Sequence, residues 1–175
     1  MQKNIRPTAI ALTVLSALGR LLPHFPNVTP MGASSLFAGS RLNGWLAYLL
    51  PVFVMAATDP LVGGYSRATP FVYASFLISV WIGRRLRATN SPIRIGGACL
   101  LCSTQFFLLT NFAVWMGGAM YPRTLGGLGT CYVAALPFFG PTVLGDLFFT
   151  AAVFGLYAML TNSIAKSEAH ATLAA

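Results

Sequence analysis

The chain has 175 residues, of which 3 are acidic and 11 basic, for a formal net charge of +8; 56% are hydrophobic and only 8% charged. A soluble domain of this length needs a charged shell of both signs, commonly about a quarter of its residues, so lipid is the expected solvent for most of this chain. One domain fits in the length. Crossings of about 20 residues each, five or six in number, would leave no room for a soluble catalytic domain.

Taken in chain order, Lys3 and Arg6 followed by an apolar stretch from Ala9 imitate a signal peptide. No small-x-small cleavage site follows and Arg20 interrupts the stretch, so the reading is an uncleaved first helix over about Thr8 to Leu22. Within it Ala9, Thr13 and Ala17 recur every four positions, placing small residues on one face where another helix can approach closely. Pro23, Pro26 and Pro30 then forbid a regular helix and predict a rigid, extended outer loop containing His24, Asn27 and Thr29. Met31 to Ser40 is apolar but short, about 17 Å as a helix against roughly 30 Å of hydrocarbon. Charge decides whether it crosses. If it does, Lys3, Arg6, Arg41, Arg84, Arg85, Arg87, Arg94 and Lys166 share the cytoplasmic side, and only Arg20, Arg67 and Arg123 lie outside; without the crossing, the arginines between 84 and 94 fall outside. The first arrangement obeys the positive-inside tendency, so a short crossing helix, shielded from lipid by its neighbours, is expected.

Leu42 to Thr58 reads as helix three with Pro51 inside it, and 59–69 as an outer loop. Pro70 to Gly83 is helix four, 84–94 a basic inner loop, and Ile95 to Trp115 helix five. The segment 116–141, with its Gly-Gly pairs and Pro137-Phe138-Phe139-Gly140-Pro141, reads as a long ordered outer loop carrying a short helix over 131–136; such loops are commonly functional. Thr142 to Ser163 is helix six. Trp45, Trp81 and Trp115 all fall near helix ends, as an interfacial belt requires. The expected fold is therefore an all-α membrane protein of six transmembrane helices, the second short, with both termini inside. A single transmembrane domain covers 1–166, and 167–175 form a mobile cytoplasmic tail.

The elaborate loops all fall on the outer face, which suggests a lid over a cavity and a small-molecule site beneath it. Asp146 lies about one turn into helix six. An acid at that depth is a site candidate, with a helix-start acid stabilised by the first-turn N–H groups as the alternative. Asp59 carries the same ambiguity. Asn111 within helix five needs a partner helix or a wet cavity. Arg123 either pairs with an acid or is a solvated loop charge, while Tyr65, Tyr121 and Tyr132 of the outer loops can stack on a flat ring or simply sit at an interface. Cys99 and Cys102 form a C-x-x-C without a second ligand pair, so no metal site is expected, and Cys131 stays open. No nucleophile–base set, zinc-protease motif or phosphate loop appears; neither an enzyme nor a cofactor is expected. The positive charge belongs to the inner loops, not to a nucleic-acid surface.

Residues 8–64, with the Pro-rich loop, the run Pro30-Met31-Gly32-Ala33-Ser34-Ser35 and an aspartate before glycine, resemble the first half of the membrane-embedded substrate-binding S-components of energy-coupling-factor vitamin transporters. That resemblance implies six helices, outer loops that close over a vitamin, and docking of Ala9, Thr13 and Ala17 onto a transmembrane coupling subunit with its ATPases; Thr13 departs from the family's alanine. Thr110-Asn111 through Trp115, Tyr121-Pro122-Arg123-Thr124, Cys131-Tyr132, Pro137-Phe138-Phe139 and Gly145-Asp146 look like an uncharacterised family of small bacterial integral membrane proteins, and this likeness covers nearly the whole chain. The expectation is a bacterial inner-membrane protein that binds a vitamin-like solute or its precursor and takes it up. Asn27, Thr29, Asp59, Asn111, Trp115, Tyr121, Arg123, Tyr132 and Asp146 are its candidate contacts. An accessory subunit of a membrane complex is the alternative, and a membrane-embedded enzyme the third reading.

Overall fold

The computed structural model describes residues 5–23, 25, 27–87, 89–118 and 120–173. Lys3, His24 and Pro26, together with the side chains of Glu168 and His170, lie outside the described residues. The described chain is all-α, with six helices: α1 (Ile5–Leu18), α2 (Met31–Arg41), α3 (Leu46–Val62), α4 (Thr69–Arg84), α5 (Pro92–Gly117) and α6 (Leu125–Leu173). A 3-10 turn over Gly19–Leu21 ends α1 earlier than the sequence suggested.

The short helix α2 is the hub. It touches α1, α3, α4, α5 and α6, while those five close a ring around it in the order α1, α3, α4, α5, α6 and back to α1. Its composition makes this possible. Met31 and every residue from Ala33 to Ser40 are buried, and most are small enough for neighbouring backbones to come close. The tightest approach is to α4, where Gly39 lies against the Val80 carbonyl and Gly83 against the Leu36 carbonyl; a Cβ at either glycine would run into backbone. Phe37 fills the centre, edge-on to Phe154 and Tyr157 of α6. Of the buried serines of α2, Ser34 Oγ donates to the Pro30 carbonyl at 2.7 Å and lies 2.7 Å from Ser16 Oγ, while Ser35 Oγ is buried without a partner. The shielding expected of this short helix is thus supplied by the other five.

Ala9, Thr13 and Ala17 are each 0% exposed, because the small-residue face of α1 is turned inward onto the chain's own helices. The close approach that the spacing implies is made within the molecule, so in this conformation the stripe is not a free surface for a coupling subunit.

Two boundaries differ substantially from expectation. Helix α3 continues through Asp59 and Pro60 to Val62, so Asp59 sits in its last turn and not in a loop; Gly63 and Gly64, both at positive φ, make the exit. The long outer loop expected over 116–141 shrinks to 118–124, and the short helix over 131–136 is part of a 49-residue α6 that includes Pro137 and Pro141. Gly118, in the left-handed conformation at φ 73, terminates α5, and the Arg123 side chain packs against it. Helix α5 and the stretch Leu125–Ser167 of α6 are each long and apolar enough to cross a bilayer; α3 is a shorter apolar helix.

The two ends of the bundle differ in charge. At one, Arg41 donates to the Thr89 carbonyl and Asn90 Oδ1, Arg87 to the Leu42 carbonyl and Arg84 to the Gly44 carbonyl, so basic side chains tie together the chain segments that follow α2 and α4 at this end. Arg85 stacks over Trp81 at 4.7 Å. At the other end Arg20 pairs with Asp59.

Candidate functional site: a polar cleft around Asp146

Asp146 is 7% exposed, in the middle of the apolar face that α6 turns toward α5 and α2. Its Oδ2 accepts a hydrogen bond of 2.7 Å from Ser103 Oγ of α5. No cation approaches it: among the described residues the one ion pair is Arg20–Asp59. Gly32, at the start of α2, lies directly against the carboxylate, and a side chain there would displace it. One residue earlier, Gly145 packs against Val28, which seats this part of the loop before α2 on α6. The sequence folds this way locally because glycine stands at both close approaches, Gly32 against the Asp146 carboxylate and Gly145 of α6 against Val28.

The carboxyl group opens into a cavity of about 160 Å³ lined by Asn27, Thr29, Gly32, Phe76, Ser79, Cys102, Phe106 and Thr142. A neighbouring hollow of about 140 Å³ shares Asn27, Phe106 and Thr142 and adds Phe107, Asn111, Ala135 and Phe138. Around the first, Gln105 Nε2 donates to the Ser75 carbonyl at 2.9 Å and reaches Ser79 Oγ at 3.1 Å, while its Oε1 is buried without a partner. Thr150 Oγ1, one turn below Asp146, donates to Cys99 Sγ at 3.4 Å. The arrangement offers one acid, several hydroxyls and amides, and phenylalanine walls: a binding surface for a compact molecule with a donor group.

Of the residues expected from sequence, Asn27, Thr29 and Asp146 meet in the first cavity and Asn111 joins Asn27 in the second. The others go elsewhere. Asp59 belongs to a separate cluster, bonded to Arg20 at 2.7 Å and to Tyr73 Oη at 2.6 Å, with Thr58 Oγ1 3.2 Å from the same guanidinium. Trp115 Nε1 donates to the Pro122 carbonyl, and Tyr132 Oη donates to the Leu108 carbonyl, so both aromatics brace the α5–α6 junction. Tyr121 and Arg123 lie in that short connection; Arg123 rests on Gly118 and is exposed. Asn111 lines the second hollow and donates Nδ2 to the Phe107 carbonyl. Cys131 is buried, its thiol 3.4 Å from the Asn111 carbonyl. No group of three metal-ligating side chains occurs among the described residues.

Sequence reasoning missed Ser79, Ser103, Thr142 and Phe106. Thr142, Asp146 and Thr150 stand four apart and share one face of α6, a spacing that could have marked Thr142. Nothing in the sequence marks Ser103 as the partner of Asp146, since serine is unremarkable in an apolar helix.

A six-helix, all-α bundle with a buried acid at the edge of a small polar cleft is the class of protein that fold and site define. The chain belongs to DUF6580, a family of unknown function, whose model matches residues 1–169. No curated protein and no solved structure matches it.

Proposed function

We propose that this protein is a multi-pass inner-membrane protein, with both termini in the cytoplasm, that binds a small organic solute at Asp146 and carries it inward. The observation that carries the reading is Asp146 itself. A carboxylate in an apolar helix, held by a single hydroxyl and facing a hollow, stays charged at low cost only with a donor or cation from elsewhere. An amine or a donor-rich heterocycle supplies one, with Asn27, Thr29 and Ser79 to fix its orientation and Phe76 and Phe106 to cover its faces.

Support for the bilayer comes from the outer surface. Leu49 and Phe53 of α3, Leu77 and Trp81 of α4, Leu100, Leu101 and Leu108 of α5, and Leu144, Phe148 and Met159 of α6 are all exposed. Soluble monomers seldom leave apolar patches of this extent. The gathering of arginines at one end of the bundle favours that end as cytoplasmic.

Each hollow, of about 160 and 140 Å³, is smaller than the roughly 300 Å³ at which small-molecule sites start, and only the two together reach that size. A compact precursor fits them better than a large vitamin. With Ala9, Thr13 and Ala17 internal, the S-component layout remains a guide to topology, and uptake through this site does not call for a coupling subunit on that face.

The test is retention of solute. Protein purified from membranes and examined by native mass spectrometry should carry, or take up from a panel of small amines, a molecule that Asp146→Asn fails to hold. Wild-type protein that stays empty across the panel while remaining folded would sink the reading.

A further inference from the structure

A larger cavity, of about 530 Å³, opens at the basic end between the start of α5 and the middle of α6. Its walls are apolar, with Ile95, Leu147 and Phe154 prominent, and Arg41 stands at its head. The Arg41 guanidinium is fixed in place: Nη2 donates to the Thr89 carbonyl at 3.0 Å and to Asn90 Oδ1 at 2.8 Å, and the plane lies 5.4 and 5.3 Å from the Phe154 and Tyr157 rings. Its Nε is buried without a hydrogen-bond partner. No carboxylate answers the charge among the described residues, where Asp59 is committed to Arg20 and Asp146 is held by Ser103. A positioned, partly desolvated cation with spare donors thus caps an apolar trough. Gly96 and Gly155 line that trough, and a Cβ at either would meet nothing within 4 Å, so packing does not require these glycines; they keep the trough open.

We propose that this trough binds an anionic amphiphile, with its phosphate or carboxylate headgroup on Arg41 and its alkyl chain along Gly96 and Gly155. Guanidinium groups bind such anions through paired, charge-assisted hydrogen bonds, and the apolar walls suit a hydrocarbon tail. The source is either a bilayer phospholipid or a free single-chain amphiphile. The site is separate from the Asp146 cleft and does not depend on what that cleft binds.

Delipidated full-length protein is incubated with phosphatidylglycerol, phosphatidylcholine or dodecyl phosphate and read by native mass spectrometry. The anionic probes should be retained at least about tenfold over phosphatidylcholine, the factor that one charge-assisted contact commonly contributes. Arg41→Ala should erase the preference. Because Arg41 also ties down the 89–90 segment, Gly155→Leu provides a second variant that fills the trough and leaves the cation intact; it should lose retention to a similar degree. Arg84→Ala, whose partner is the Gly44 carbonyl, should bind as wild type. Retention of phosphatidylglycerol alone identifies the bilayer as source, and retention of dodecyl phosphate alone identifies a free amphiphile; both support the site. Equal retention of anionic and neutral lipid, or wild-type retention by both Arg41→Ala and Gly155→Leu, overturns it.

Discussion

Asp59 and Asp146 are both acids buried in helices, and their partners divide their roles. Asp59 is matched by Arg20, with side-chain exposures of 10% and 15%, and its other oxygen is bonded to Tyr73. Removing one member leaves the other charge buried and unpaired, which costs about 3–5 kcal/mol. Arg20→Met or Asp59→Leu should therefore lower the thermal midpoint in detergent sharply, while the double variant recovers part of the loss. Singles no worse than the double would show that the pair is solvated. Asp146, with one hydroxyl partner, is different. Asp146→Asn keeps the volume and an acceptor for Ser103, so stability should change by under about 1 kcal/mol, and the loss should appear in solute retention. The sequence displayed Asn27, Thr29 and Asp146 because polar groups stand out in apolar surroundings. Ser79, Ser103 and Thr142 stayed hidden because Ser and Thr in helices routinely satisfy themselves on the carbonyl four residues back, as Thr142 does with Phe138; only tertiary structure shows which of them line the cleft or reach Asp146.

The pairing of α2 with α4 is the most exacting contact between elements. At Gly39 and Gly83 any side chain meets backbone, which cannot move aside as a flexible side chain can. Gly39→Val or Gly83→Val should destabilise by about 1–3 kcal/mol or more. Gly129→Ala in α6 serves as the contrast: its Cβ enters open space, and helix propensity favours alanine by about 1 kcal/mol. Thermal unfolding followed by circular dichroism separates the two cases, and equal behaviour would mean that the helices are not closely packed. All six helices were legible from apolar runs and their punctuation, but two ends were misread. Pro137 and Pro141 suggested a loop, yet a proline removes only one helical hydrogen bond, and in apolar surroundings the helix is still the cheapest way to satisfy the rest of the backbone. The same holds for Pro60 in α3. The Ala9, Thr13, Ala17 stripe is buried against the chain's own helices, which spacing alone does not reveal.

Over the whole molecule, the basic end and the Arg20–Asp59 end are opposite poles of one ring of helices. The proposed orientation predicts that a cysteine placed at Asn90 is protected from an impermeant maleimide added to intact cells, and that one at Gly126 is labelled. Both positions are exposed, and the native Cys99, Cys102 and Cys131 are buried, so background reaction should be low. Labelling at Asn90 with protection at Gly126 would invert the topology and remove the outward-facing entrance. The central place of α2 also constrains biogenesis. At 11 residues it is about 16 Å long, and its serines and glycines make it a poor substrate for the insertion machinery by itself. In the proposed membrane orientation α2 would enter the bilayer in company with the helices around it, and because its tightest partner is α4, its final seating would wait until α4 has been made.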